Sequence, residues 1–232
     1  MTIQTIILAA GMGTRLARPH PKSMTELSDG RTIMHQQLGN LENVFGRKLR
    51  VSIVVGYKLE QIMEHAPHVS FVYNENYDQT NTSKSLLKAL RASHKGGVLW
   101  MNGDVVFDPR ILEELKPLIK ADQSFVTVDV SSVSDEEVKY TVNDQGFIVS
   151  LSKEVAQDQA LGEAVGINYV SQRDKKKLIK RLSQVAEQDY FERGIEWTID
   201  KDGVNWLPVD ISQYYAVEID FPEDLDRANA QL

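Results

Sequence analysis

Apolar and polar positions alternate along the first half of the chain with two different periods. Short runs of branched apolar residues, typical of buried strands, alternate with longer stretches in which apolar residues recur at helical spacing. The predicted strands are 4–9, 50–55, 69–73, 98–101 and 125–130. The predicted helices are 33–45, one from Asn81 or Thr82 to about His94, and one from Pro109 to about Ile119. This order is typical of βαβ units around a mostly parallel sheet.

The second half of the chain has a more mixed pattern. Two apolar runs flank an Asn-Asp-Gln-Gly turn, which predicts a hairpin lying over the sheet. The predicted elements are strands at 138–142, 147–151, 164–170 and 214–219, a helix at 175–186 and a short helix from Pro222. No repeat or linker interrupts the chain, so the sequence predicts a single domain over residues 1–232.

Composition narrows the class of protein. The 232 residues suffice for one α/β core, and 42% hydrophobic with 25% charged residues is ordinary for a globular protein. The net charge of −7 argues against a nucleic-acid partner, and no apolar run is long enough for a membrane span. The absence of cysteine fits a reducing compartment, so we expect a cytoplasmic protein.

The segment that follows the first predicted strand contains small residues and a cation. Gly11 and Gly13 would let backbone N–H groups approach a phosphate chain, and the Arg15 guanidinium suits phosphate oxygens. A dinucleotide-binding fingerprint would need a small residue where Leu16 stands and an acidic residue where Gly56 stands. The Gly-Lys-Ser/Thr tripeptide of a P-loop is also absent. The sequence therefore predicts a phosphate-binding loop of another kind, with a plain tight turn as the alternative.

Several separated motifs carry a family resemblance. They are residues 7–16 with Pro21-Lys22, Asn102-Gly103-Asp104, 163–167 and Glu218-Ile219-Asp220. Together they resemble the signature of the nucleotidyltransferase superfamily, which includes MobA-like and sugar-phosphate enzymes. The resemblance implies a Rossmann-like three-layer α/β/α fold with a mixed, mostly parallel sheet. Residues 73–86 are most similar to bacterial choline-phosphate cytidylyltransferases, which activate phosphoalcohols or phosphonates.

The resemblance implies roles for residues in both halves of the chain. Residues 1–130 would form a nucleotide-binding half and 131–232 an acceptor-binding half. Asp104 and Asp220 would hold Mg²⁺, which prefers one or two carboxylates plus phosphate oxygens and waters, although each could instead cap a helix. Arg15 and Lys22 would be the catalytic cations. The positions expected to contact the nucleotide are Ala9, Ala10, Gly11, Met12, Gly13, Thr14, Arg15, Asn81, Ser83 and Ser85.

The acceptor is expected to carry a positive charge, as in phosphocholine or 2-aminoethylphosphonate. Aromatic faces would suit a trimethylated amine and carboxylates a primary one, and the sequence leaves this choice open. Glu163 is the first choice for an acceptor contact, because it precedes the strand at 164–170 at a position that contacts acceptors in the enzymes the chain resembles. The other candidates, which are aromatic or acidic, are Tyr140, Tyr169, Asp189, Tyr190, Glu192, Glu196 and Trp197.

The implied reaction is in-line attack of an acceptor phosphate or phosphonate oxygen on the α-phosphorus of CTP, with pyrophosphate leaving. Such an oxygen is already ionised, since the second pKa of a phosphate is about 6, so no general base is needed. Three alternatives stay open: a sugar-1-phosphate nucleotidyltransferase that uses UTP or another triphosphate, a catalytically silent nucleotide-binding regulator, and a glycosyltransferase. The oligomeric state is also open.

Overall fold

The computed structural model describes residues 2–13, 19–131 and 133–232. Its strands are β1 (Ile3–Ala9), β2 (Leu49–Val55), β3 (Ser70–Tyr73), β4 (Val98–Asn102), β5 (Val105–Phe107), β6 (Phe125–Asp129), β7 (Lys139–Val142), β8 (Ile148–Ser152), β9 (Glu163–Val170), β10 (Leu207–Asp210) and β11 (Ala216–Glu218). Its helices are α1 (Ile33–Phe45), α2 (Leu59–His65), α3 (Thr82–Ala92), α4 (Arg110–Lys120), α5 (Gln172–Leu182), α6 (Phe191–Asp202) and α7 (Pro222–Asn229). Short 3-10 helices lie at Lys22–Met24 and Gly46–Lys48.

The main sheet has nine strands, in the order β10-β6-β9-β4-β1-β2-β3 with β7 and β8 attached at one side. Strand β1 pairs in parallel with β2 and β4, and β2 with β3. Strand β9 is antiparallel to both β4 and β6, so the sheet is mixed but mostly parallel. The carboxyl ends of β1 and β4 therefore meet the amino end of β9 at one edge. A separate two-stranded sheet pairs β11 with β5.

Helices cover both faces of the main sheet because its central strand is apolar on both sides. In β1, Ile6 and Leu8 belong to the core shared with α3, α5 and α6. Ile7 and Ala9 belong to the opposite core, shared with α1, α2 and α4. A continuous apolar run is the expected signature of a strand covered on both faces. The predicted three-layer α/β/α architecture is thus confirmed.

Most predicted elements are present, but the predicted hairpin position is wrong. Strands β7 and β8 do not lie over the sheet. They join it through the pairing of Lys139 with Glu163 in β9. The sequence reading also missed β5, α2, α6 and β10, which are short or carry an irregular apolar pattern. Within the residues described, no helix combines the length and apolar character that a bilayer span requires.

Helix α6 was hard to predict from the sequence because it contains a glycine. Gly194 lies in its interior, where glycine costs about 1 kcal/mol of helix propensity relative to alanine. A Cβ at this position would lie 2.5 Å from Cδ2 of Leu182, the last residue of α5. The glycine therefore lets α6 pack closely on α5, and this tertiary contact outweighs the local preference.

Candidate active site

Three charged side chains from separate parts of the chain meet at the carboxyl edge of the sheet. Lys22 lies in the first short 3-10 helix, Asp104 is the second residue after β4, and Asp220 is the second residue after β11. The Lys22 Nζ donates to Asp104 Oδ2 at 2.7 Å and also donates to Asp220 Oδ1. Since one ammonium contacts both carboxylates, the two aspartates lie side by side.

The charges in this cluster perturb one another. Burial alone would lower the pKa of Lys22, but the attraction of Asp104 and Asp220 outweighs it, and the pKa lies above its ordinary value. The Glu218 carboxyl is buried beside them, and burial followed by repulsion from Asp104 raises its pKa well above the usual range. The Oδ1 atom of Asp104 is buried without a hydrogen-bond partner among the described residues. The cluster therefore has spare capacity to bind a cation.

Two glycines allow the close approaches that build this cluster. The Gly103 N–H donates to the Leu8 carbonyl at 2.9 Å, and a Cβ on Gly103 would lie 2.7 Å from that oxygen. Gly13 has φ +59°, which favours glycine, and a Cβ there would lie 3.1 Å from Lys22 Cβ. These glycines bring the ends of β1 and β4 and Lys22 together.

Two cavities adjoin at Lys22. The loop cavity, about 200 Å³, is lined on one side by Ala9, Gly11 and Gly13. The acidic cavity, about 270 Å³, extends from Lys22 toward α6 and the hairpin. Both cavities share the residues at their junction, which are Gly13, Lys22, Thr82, Asn102, Asp104 and Glu218.

Two further carboxylates, Glu137 and Glu192, line the acidic cavity on the side of α6. Burial raises the pKa of the Glu192 carboxyl to about 7. Its Oε2 has no hydrogen-bond partner among the described residues. Burial, followed by repulsion from Glu163, also raises the pKa of Glu137. Lys153 lines the same cavity, with its Nζ over the Tyr190 ring, 5.4 Å from the ring centre.

The residues predicted to contact a nucleotide lie in different settings. Thr14 and Arg15 are outside the described residues. Ala9, Gly11 and Gly13 line the loop cavity; Ala10 is buried, its carbonyl accepting from Tyr57 N–H, and Met12 is exposed. Asn81 caps α3 by accepting from Thr82 N–H. The Ser83 hydroxyl is buried without a partner among the described residues, whereas the Ser85 hydroxyl accepts from Asn74.

Only two of the residues predicted for the acceptor line the acidic cavity, namely Tyr190 and Glu192. Tyr140 and Tyr169 are core residues; the Tyr169 ring stacks on Phe125 and its hydroxyl donates to Asp122. The Trp197 ring lies under Lys201, with the ammonium 3.3 Å from the ring centre.

The three remaining acidic candidates accept hydrogen bonds from backbone N–H groups. Glu163 accepts from the Ser134 N–H, Asp189 from the Ala186 N–H and Glu196 from the Leu151 N–H. The structure thus uses all three carboxylates to fix neighbouring backbone.

Sequence reasoning missed several residues that line the acidic cavity: Thr82, Asn102, Glu137, Lys153 and Glu218. Glu218 and Asn102 belong to motifs that had been recognised, so their place beside Asp220 and Asp104 was a usable signal. Glu137 ends the run Asp135-Glu136-Glu137, which has the pattern of a solvated charged loop. Lys153 had no distinguishing pattern.

The three-layer fold, the glycine loop and the paired aspartates define a site of the nucleotidyltransferase class. Residues 5–187 match the family described as the MobA-like NTP transferase domain. The chain belongs to this family.

Two relatives with assigned activities are similar over most of this chain. A CMP-5'-(3-aminopropyl)phosphonate synthase of Streptomyces rubellomurinus is 27% identical over 98% of this chain and 38% of its own length. A 2-aminoethylphosphonate cytidylyltransferase of Lancefieldella rimae is 29% identical over 86% of this chain and 78% of its own length. The chain thus spans less than half of the first relative and about four fifths of the second.

Solved structures share the fold over nearly the whole chain. The CTP:phosphocholine cytidylyltransferase of Streptococcus pneumoniae superimposes with a TM-score of 0.76 at 18% identity, covering 99% of both chains. The inositol-1-phosphate CTP transferase of T. maritima gives a TM-score of 0.79 at 19% identity, covering 99% of this chain and 96% of that one. At this level of identity, the likeness establishes the fold.

Proposed function

We propose that the protein is a Mg²⁺-dependent cytidylyltransferase that transfers CMP from CTP to a small phosphonate or phosphorylated acceptor bearing an amine, with release of pyrophosphate. The observation that carries the proposal is the contact of Lys22 with Asp104 and Asp220 where the loop cavity meets the acidic cavity. Two ligands bound in the two cavities would meet at this cluster. The names of the two relatives, one a CMP-phosphonate synthase and the other a cytidylyltransferase, support cytosine as the base.

The nucleotide would bind in the loop cavity. Backbone groups at Gly11 and Gly13 lie on its wall, and Thr82, the first residue of α3, presents the positive end of that helix. The buried Ser83 hydroxyl beside it has no partner among the described residues and would bind a polar edge of the base. Ser83 is therefore the strongest candidate for base recognition.

The reaction brings two anions together, and the described cations would reduce their repulsion. Each pair of unit charges about 4 Å apart costs on the order of 4 kcal/mol at an effective dielectric near 20. Lys22 lies between the cavities and Lys153 on the wall of the acidic cavity. The acceptor oxygen is ionised near neutral pH, so these residues need only position and neutralise the phosphoryl groups.

Asp104 and Asp220 would hold the Mg²⁺. Their carboxylates lie side by side on Lys22, and the unpartnered Asp104 Oδ1 supplies a free oxygen ligand. No cluster of three acidic or histidine side chains suited to a metal occurs in the described part of the chain. Two carboxylates with phosphate oxygens and waters are the usual Mg²⁺ set, so the residues fit. The ion would neutralise charge on the phosphates.

The test measures pyrophosphate release with Mg²⁺ and each of CTP, UTP, GTP and ATP. The acceptor panel comprises 2-aminoethylphosphonate, 3-aminopropylphosphonate, phosphocholine, phosphoethanolamine and glucose-1-phosphate. We expect release with CTP and one of the aminated acceptors, and none without Mg²⁺. Release only with UTP and the sugar phosphate would establish the sugar nucleotidyltransferase instead. Nucleotide binding without release from any pair would favour the regulator.

A further inference from the structure

The acidic cavity is lined by more carboxyl groups than ammonium groups. Among the residues the structure describes, five carboxylates and two ammonium groups line it. Two of the carboxylates, Asp104 and Asp220, accept hydrogen bonds from Lys22, and Glu218 is buried beside them. The other two, Glu137 and Glu192, lie toward α6, and among the described residues Lys153 is the cation that lines the cavity beside them.

We propose that Glu137 and Glu192 form a subsite for a primary ammonium group, and that Lys139 is a positioning residue that holds Glu137 in it. The proposal rests on the proposed function, since it names the charged end of the acceptor. It also identifies Glu137, a residue in a charged loop, as a determinant of acceptor specificity.

Glu192 shows that the subsite needs a ligand. The side chain is only 8% exposed, and its Oε2 has no hydrogen-bond partner within the described ranges. A buried carboxylate oxygen without a hydrogen bond is costly, and proteins rarely keep one. The residue lies in the first turn of α6. In the same turn, the backbone N–H of Phe191 donates to the Thr82 hydroxyl. The carboxylate is thus fixed on a rigid element that borders the cavity.

Glu137 is brought to the cavity by a fixed loop. The side chain of Lys139 is buried, and its Nζ donates to the carbonyls of Ser134, Asp135 and Glu137 at 3.4, 3.1 and 3.4 Å. The Ser134 N–H donates in turn to the Glu163 carboxylate. One buried cation therefore holds residues 134–137 in a single arrangement. Its loss would free the loop while leaving the cavity's other walls in place.

The geometry favours a primary ammonium over a trimethylated one. A primary ammonium offers N–H donors to two carboxylates, whereas a trimethylated amine offers none and prefers open aromatic faces. Two described rings line the acidic cavity, those of Tyr190 and Phe191. Lys153 lies over the Tyr190 ring, and Phe191 is buried in the core, edge-on to Trp100. The described wall therefore supplies carboxylate acceptors and no uncovered tyrosine face.

The experiment compares an acceptor with its deaminated counterpart. Binding of 2-aminoethylphosphonate and of ethylphosphonate is measured by calorimetry, with Mg²⁺ and with or without a non-hydrolysable CTP analogue, and their turnover by pyrophosphate release. We expect wild type to prefer the aminated compound by tenfold or more, as roughly expected for a hydrogen bond to a charged group. Glu137→Gln should remove most of this preference. Glu136→Gln, an equal charge change one residue away on an exposed side chain, should keep it.

The positioning role of Lys139 has its own readout. Lys139→Met should raise KM for 2-aminoethylphosphonate as much as Glu137→Gln does, with KM for CTP and turnover of ethylphosphonate unchanged. The double variant should be no worse than either single one, because both changes remove the same interaction. A merely structural role would instead impair both acceptors alike. Lys139→Arg, which keeps the charge, should restore part of the preference if the loop is held by the cation.

The outcomes separate the two proposals. Wild type that turns over both compounds with equal kcat/KM, or Glu137→Gln that keeps the preference, would overturn the ammonium subsite and leave the cytidylyltransferase intact. Wild type that binds the aminated compound more tightly but releases no pyrophosphate would support the subsite and overturn the proposed function. Phosphocholine bound more tightly than 2-aminoethylphosphonate would also overturn the choice of a primary ammonium.

Discussion

The two ends of the acidic cavity are built in different ways. At one end, Asp104 comes after β4 of the main sheet, Asp220 comes after β11 of the two-stranded sheet, and Lys22 contacts both. At the other end, Glu137 and Glu192 are supplied by a loop and by the first turn of α6. At the first end Lys22 bridges two carboxylates, whereas at the second end the buried Oε2 of Glu192 has no hydrogen-bond partner among the described residues. We infer that the first end performs the chemistry and the second selects the acceptor.

The largest expected effect is the loss of either aspartate at the first end. Asp104→Asn and Asp220→Asn should each lower kcat by roughly a hundredfold to a thousandfold, since removing one preorganised charge-stabilising group commonly costs that much. Pyrophosphate release over a Mg²⁺ titration measures the effect. Asp226→Asn on the exposed face of α7 is the matched control. Normal turnover in either variant would remove that aspartate from the catalytic end.

Loss of Lys22 should affect both catalysis and stability. Lys22→Met leaves Asp104 and Asp220 facing each other without their shared cation. We expect a loss of about 2 kcal/mol in the free energy of unfolding without metal, less than for a fully buried pair because the side chains keep some exposure.

Mg²⁺ should stabilise Lys22→Met more than wild type, because the ion would replace the missing positive charge. Thermal unfolding with and without Mg²⁺ measures both effects. Equal shifts in Tm for the two proteins would show that the ion binds elsewhere.

At the second end, Glu192→Gln should lower activity and raise stability. The pKa of Glu192 is raised from 4.5 to about 7 by burial, so the ionised carboxylate destabilises the folded state increasingly as pH rises from 4.5 to 7. The amide removes this cost. At about 1.4 kcal/mol per pKa unit, the gain at pH 8 is on the order of 3 kcal/mol, and it should vanish near pH 4.

The same carboxyl should shape the pH dependence of acceptor use. In wild type, kcat/KM for an aminated acceptor should rise as Glu192 ionises around pH 7, and this step should be absent in Glu192→Gln. The charged groups that act on Glu192 are Lys153, Glu196 and Glu137. A variant that is less stable than wild type at pH 8 would show that the carboxylate has a structural partner.

The contrast between the two ends also explains what could be predicted from the sequence. Buried strands are continuous apolar runs, so β1, β2, β4 and β6 were found almost to the residue. Asp104 was predicted from the family resemblance, and the pairing of β1 with β4 places it near the glycine loop. Glu137 depends on Lys139, a lysine whose burial no local pattern indicates. Tyr140 and Tyr169 were expected near the acceptor, but alternation in their strands turns them into the core.

The smallest expected effect separates two serines that the sequence could not tell apart. Both Ser83 and Ser85 lie in the first turns of α3 and are buried. The Ser85 hydroxyl accepts from Asn74 at 3.0 Å, whereas the Ser83 hydroxyl has no partner among the described residues. Ser83→Ala should therefore raise KM for CTP by about fivefold, near 1 kcal/mol, with stability unchanged.

Ser85→Ala should instead leave KM for CTP within about twofold and cost about 1 kcal/mol of stability, because the Asn74 amide loses one of its two side-chain acceptors. Initial rates at varied CTP, together with urea unfolding, measure both quantities for the two variants. The opposite assignment, with CTP affinity lost in Ser85→Ala alone, would mean that the nucleotide displaces Asn74 from Ser85. The polar groups in the first turns of α3, like those at the start of α6, would then be arranged to bind ligands rather than to stabilise the fold.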